Sequence, residues 1–157
     1  MAFGSSSKIF TVFITDSLNN TASHSGALLA DSIKVALYGS TTNTPDQTVA
    51  NTLTGYNQAT SQWLATYEVT ATGWPAGGLA LASRTSTNAT NVYTFDAADT
   101  AGGTTDTVTN AYGVLVYNNT LTTKDGVCYN AFGGAASVTS GTFTVVWNAS
   151  GIFTITV

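Results

Sequence analysis

Thr142-Phe-Thr-Val-Val-Trp-Asn-Ala-Ser-Gly-Ile-Phe-Thr-Ile-Thr-Val157 is the stretch that decides the fold class. On its first arm Phe143, Val145 and Trp147 alternate with Thr142 and Thr144; on its second Phe153, Ile155 and Val157 alternate with Thr154 and Thr156. Period two marks strands with one buried face. Between the arms, Asn148-Ala-Ser-Gly151 suits a type I turn followed by Gly151 in the left-handed region, the three-residue hairpin loop. The stretch predicts a complete β-hairpin. A chain closing on Val157 with no polar tail is expected to hold its last strand inside a sheet, so truncation there should hurt more than at most termini.

Upstream, the same logic yields further strands. Asp31-Ser-Ile-Lys-Val-Ala-Leu-Tyr38 sets Ile33, Val35 and Leu37 on one face. Short strands follow at Tyr67–Thr70, Leu79–Leu81 and Ala89–Asp96. Val108–Tyr117 is apolar on both faces, with Val114 and Val116 opposite Leu115 and Tyr117, which predicts a central strand covered on both sides. Lys124-Asp-Gly126 turns into a strand at Val127–Phe132, and Gly133-Gly134 leads on to Val138. Gly73-Trp-Pro-Ala-Gly-Gly78 reads as a tight loop, Ser40–Asn51 as a long surface loop, and Tyr56–Thr66 is a candidate for one helical turn around Trp63 and Leu64. Ile9, Phe10, Phe13, Ile14 and Leu18 recur at three- and four-residue steps, which favours a short amphipathic helix over about 7–19 against a rival strand reading. The expectation is an all-β chain, an antiparallel β-sandwich or jelly-roll-like domain with a short N-terminal helix or arm. Residues 1–25 form the arm and helix, and 26–157 a single β-sandwich domain.

Charged residues make up only 8% of the 157, against 43% hydrophobic, where about 25% charged is ordinary. Hydroxyls and amides must supply solubility, and threonine is the commonest residue. The four basic residues, Lys8, Lys34, Arg84 and Lys124, are scattered and the net charge is −4. No basic stripe exists to hold phosphates, so nucleic acid is not an expected partner. No membrane-length apolar run or signal peptide is evident, which points to synthesis and folding in a cytoplasm.

Catalytic chemistry has little to work with. The chain holds one His, one Cys and one Glu, and His24 sits among small loop residues. Cys128 alternates with Tyr129 and reads as a small buried hydrophobe. Asp96 and Asp99, with Asp106 nearby, lack the alternate spacing of a calcium loop, and Asp96 and Asp99 read as turn caps. No catalytic residue, metal or cofactor is expected. Tyr56, Trp63 and Trp74 are the alternative ligand platform, flat aromatic faces carried on loops where a sugar could stack; packing in the core or against a subunit is the competing role.

Taken in succession, Asp31–Tyr38, Glu68-Val69 with Gly73–Gly78, Phe95-Asp-Ala-Ala-Asp99, Ala111–Tyr117, Phe132–Gly134, Gly141–Trp147 and Gly151–Thr154 resemble small virion proteins of tailed bacteriophages, especially those infecting actinobacteria. The resemblance spans nearly the whole chain in consistent order. It implies a non-enzymatic structural protein, foremost a capsid decoration protein that binds the major capsid protein on the outside of the head, commonly as a homotrimer. A tail-associated or host-surface glycan-binding module is the alternative. On this reading Phe3, Phe10 and Phe13, more apolar than a free tail requires, are expected to reach the shell or a neighbouring subunit.

Overall fold

The computed structural model describes residues 7–19, 27–39 and 46–156. Within them lie ten strands: β1 (Lys8–Ile9), β2 (Ile33–Gly39), β3 (Leu79–Ala80), β4 (Thr85–Ala89), β5 (Val92–Asp96), β6 (Thr100–Ala101), β7 (Asp106–Asn118), β8 (Gly126–Gly141), β9 (Thr144–Val145) and β10 (Phe153–Thr156). One helix, α1 (Thr11–Asn19), and two short 3-10 turns, Asn51–Leu53 and Ala65–Tyr67, complete the set. Every strand pairing is antiparallel. The expected all-β class with a short N-terminal helix is what the chain adopts.

The strands form a five-stranded sheet in the order β1-β8-β7-β2-β3, a three-stranded sheet β10-β5-β4, and the pair β6-β9. β7 lies between β2 and β8, and alternation sends its side chains to two different cores. Val114 and Val116 join Ile33, Val35 and Leu37 in a layer shared with Phe95, Val145 and Phe153 from the other sheets. Leu115 and Tyr117 join Ala36 and Tyr38 in a second layer capped by Phe10, Tyr56 and Trp63. The first layer makes the arrangement sandwich-like; the second buries the remaining face of the central sheet beneath loops.

Several local expectations are corrected. The two arms of the C-terminal stretch do not pair with each other. β9 pairs with β6, and β10 pairs with β5 from Phe153↔Phe95 to Thr156↔Val92. The turn between them nonetheless has the expected form: Gly151 N–H donates to the Asn148 carbonyl at 2.8 Å, and Gly151 has φ 97°. The helix starts at Thr11 rather than near residue 7, because Lys8 and Ile9 pair with Tyr129 and Cys128 of β8. Tyr67–Thr70 is not a strand; only Glu68 bridges, to Tyr38. Trp63 lies outside any helical turn, and β8 runs on well past Phe132. Its length comes with a bulge, since Gly113 faces Ala131 while Ala111 faces Ala136.

Candidate functional site

The expected contact residues divide. Phe3 lies outside the described residues. Phe10, expected to reach outward, is instead fully buried. It meets Trp63 edge-on at 6.2 Å and Tyr129 at 5.6 Å, and its backbone N–H donates to Val127. Gly126 makes room for it, since a Cβ there would stand 2.6 Å from the Phe10 ring. Burying a phenylalanine among aromatics outweighs leaving it in water. Phe13 differs: it is half-buried, 6.2 Å from Phe153, and one side of it stays open to the groove beside α1.

α1 keeps a second, outer flank. Phe13, Ile14, Ser17 and Leu18 line an apolar groove of about 200 Å³ with Leu28, Tyr93, Phe153 and Ile155. Leu18 is 81% exposed, and α1 has no fully buried residue. The sequence signal for this flank was the same three- and four-step spacing that located the helix. Spacing identifies an apolar stripe, not which of its members the sheet covers.

The aromatic platform is absent as a surface. Trp63 and Trp74 are buried and Tyr56 is 5% exposed, so none offers a free ring face for stacking. Each is held by specific contacts. Tyr38 donates its hydroxyl to the Trp63 carbonyl at 2.8 Å, and the two rings meet edge-on. Trp74 donates its indole N–H to the Phe143 carbonyl at 3.0 Å. Tyr56 stacks on Tyr117 at 4.8 Å with Lys124 over its ring.

Tyr56 also leads to the most polar interior cluster. Its hydroxyl donates to Glu68 Oε2 at 2.7 Å, Gly77 N–H donates to Glu68 Oε1 at 2.9 Å, and Tyr117 donates to the Gly77 carbonyl at 2.8 Å. Burial pushes the Glu68 carboxyl above its usual range, opposed by the bonds from Tyr56, Gly77 and Gly78 and by the Lys34 charge. Burial likewise raises the phenols of Tyr38, Tyr56 and Tyr117. Both Glu68 oxygens are engaged, so the carboxylate ties the Gly73–Gly78 loop to the central sheet. The lone glutamate of a nearly uncharged chain was the available clue to this network.

Two aspartates reach distant segments, and one of them also caps its own turn. Asp106, buried, accepts from Gly73 N–H at 2.6 Å and Gly103 N–H at 2.7 Å. Asp99 accepts from Trp147 N–H at 2.9 Å, so it holds the C-terminal segment rather than capping its own turn. Among the described residues no group of three or more His, Cys, Asp or Glu is placed to hold a metal ion. His24 lies outside them, and Cys128 is buried with its thiol pushed up by burial. No helix among them is long and apolar enough to cross a membrane.

No family model, curated protein or solved structure matches the chain.

Proposed function

We propose that this protein is a structural component of a tailed-bacteriophage particle, a capsid decoration protein that binds the outer surface of the head as a homotrimer and clamps neighbouring copies of the major capsid protein. The family rests on the motif succession from Asp31 to Thr154 described above. The observation that carries the role is the pairing of a nearly charge-free chain with apolar side chains left in water: Leu18 is 81%, Val146 71% and Leu29 51% exposed. Such a surface can be covered over a wide area without stranding charge, which is the main penalty at an interface. The groove beside α1 takes the contact role expected of Phe10. Glycan binding on Tyr56, Trp63 and Trp74 loses support, because stacking needs ring faces that the core has already covered.

Co-sedimentation with undecorated mature heads, immature procapsids and isolated tails, each run separately, tests the reading. Saturable binding to mature heads alone is expected, and Leu18→Asp should weaken it at least tenfold while leaving the fold intact by circular dichroism. Binding to tails alone, or to none of the three, would overturn decoration.

A further inference from the structure

We infer that β4 is a self-pairing edge: it adds antiparallel to β4 of a second copy, joining two three-stranded sheets into one of six strands. This rests on the backbone of the β4–β5 hairpin and stands independently of the particle reading.

Among the described residues β4 pairs with β5 alone, and all five of its residues are exposed. An unpaired edge presents a row of N–H and C=O groups that another strand can take up. Edges are ordinarily protected by lysine, proline, a bulge or extreme shortness. Thr85-Ser-Thr-Asn-Ala89 has no lysine or proline and pairs in unbroken register from Thr85↔Asp96 to Ala89↔Val92. Neither nearby charge guards the outer edge: the Arg84 guanidinium donates to the Leu28 and Asp31 carbonyls, and Asp96 sits on β5, opposite Thr85 and on the inner side of β4. The other sheet termini differ: β1 and β3 are two residues each, and β10 is the four-residue strand beside Ile152, whose carbonyl accepts from the Asn130 side chain.

The hairpin identifies which groups are free. Thr90 and Asn91 both have positive φ, at 51° and 65°, the geometry of a two-residue type I′ loop. Such a loop closes on a hydrogen-bonded pair, here Ala89 with Val92. Alternation then aims the backbone groups of Thr85, Thr87 and Ala89 at β5, and those of Ser86 and Asn88 away from it. A second β4 related by a twofold axis at Thr87 meets these groups in kind. Ser86 and Asn88 of one copy exchange bonds with Asn88 and Ser86 of the other, Thr87 faces Thr87, and Thr85 faces Ala89. No pair contains a charge, so a second copy meets no like-charge repulsion along the strand, and Thr–Thr apposition is favourable. The outer face of the sheet, with Thr85, Thr87, Thr94, Thr154 and Thr156 and with Asp96 one strand in from the edge, would continue across the seam. Two short edges bury less than the ~1,000 Å² of a durable interface, so the expected dissociation constant is weak, on the order of 0.1 mM.

The test is amide hydrogen exchange and sedimentation velocity on the full chain from about 10 µM to 1 mM, a range that brackets that constant. The dilute species should associate reversibly, and the Ser86 and Asn88 amides should gain protection with concentration. Asn88→Pro removes an outward N–H without touching the ladder to β5; Ser86→Lys tests the same edge with a charge. Both should abolish the association while Tyr93 and Phe95 amides stay protected. Amides at Ser86 and Asn88 that exchange freely at 1 mM, or association that survives in both variants, would overturn the proposal. Protection that appears only on adding phage heads would assign the edge to a strand of the shell and equally overturn pairing with a second copy.

Discussion

Two turns end in opposite ways, and the first corrects an expectation, since Thr90-Asn91 breaks the single strand expected over Ala89–Asp96. Ala89-Thr-Asn-Val92 joins β4 and β5, which pair with each other along their whole length. Asn148-Ala-Ser-Gly151 reverses the chain just as definitely, with the Asn148 side chain accepting from Ser150 N–H at 2.8 Å, yet the strands on either side go to different sheets. The first arm is claimed by the Trp74 loop and β6: the Phe143 carbonyl accepts from Trp74 and from Gly102 N–H, and Asp99 holds Trp147. The second arm is claimed by β5, where Phe153 meets Phe95 at 5.5 Å and Ile152 N–H donates to the Phe95 carbonyl. A turn specifies that the chain comes back. Which edge it comes back to depends on where the apolar faces find cover.

If tertiary burial governs the second turn, removing its anchor should do the most damage. Phe153→Ala deletes a ring packed against Phe95, Tyr93 and Phe13 and is expected to cost about 3–5 kcal/mol in denaturant unfolding. A loss under 1 kcal/mol would mean the β5 pairing holds without that face.

Gly151→Ala should come next, at roughly 2–3 kcal/mol. The residue has positive φ, and a Cβ would stand 2.6 Å from Thr94 Cγ2 and 2.8 Å from the Phe95 carbonyl oxygen. Here the turn is pressed against another sheet, so the penalty combines conformation and clash. Thermal melts showing a cost no larger than that of Asn91→Ala would erase the distinction between the two turns.

At Asn91 only conformation is at stake. Asn91→Ala should cost about 1 kcal/mol, and Asn91→Gly should stay within about 0.5 kcal/mol of the parent. A large loss for Asn91→Gly would show that this hairpin too depends on tertiary contacts.

The same contrast explains what was legible. β2 and β7 could be read because their apolar residues fill both alternating faces, and burial on both sides leaves a run that few other structures tolerate. β4 could not, since Thr85–Ala89 is polar and wholly exposed and becomes a strand only by pairing with β5. The far half of β8, with Gly133, Gly134 and small residues, carries no pattern and is extended because β7 holds it. At the candidate site, the apolar stripe around α1 was visible, but its orientation was not: Phe10 is buried, Phe13 is half-buried at the groove, and Leu18 faces out. Tyr56, Trp63 and Trp74 were recognisable as aromatics on loops, and only the closed second core shows that all three are interior.

The sequence alone determined the antiparallel all-β class, the central position of Val108–Tyr117, the N-terminal helix and the turn at Asn148–Gly151. Each follows from interactions within a few residues: side-chain alternation, helical spacing, or the freedom of glycine at positive φ. Tertiary structure decided the partners: the separation of β9 from β10, the second core over Tyr38 and Tyr117, the Glu68 tie to Gly77, and the open edge at Ser86 and Asn88. Those depend on which of several compatible apolar faces and backbone edges meet. That choice is made by burial across the whole chain, because no residue can express it locally.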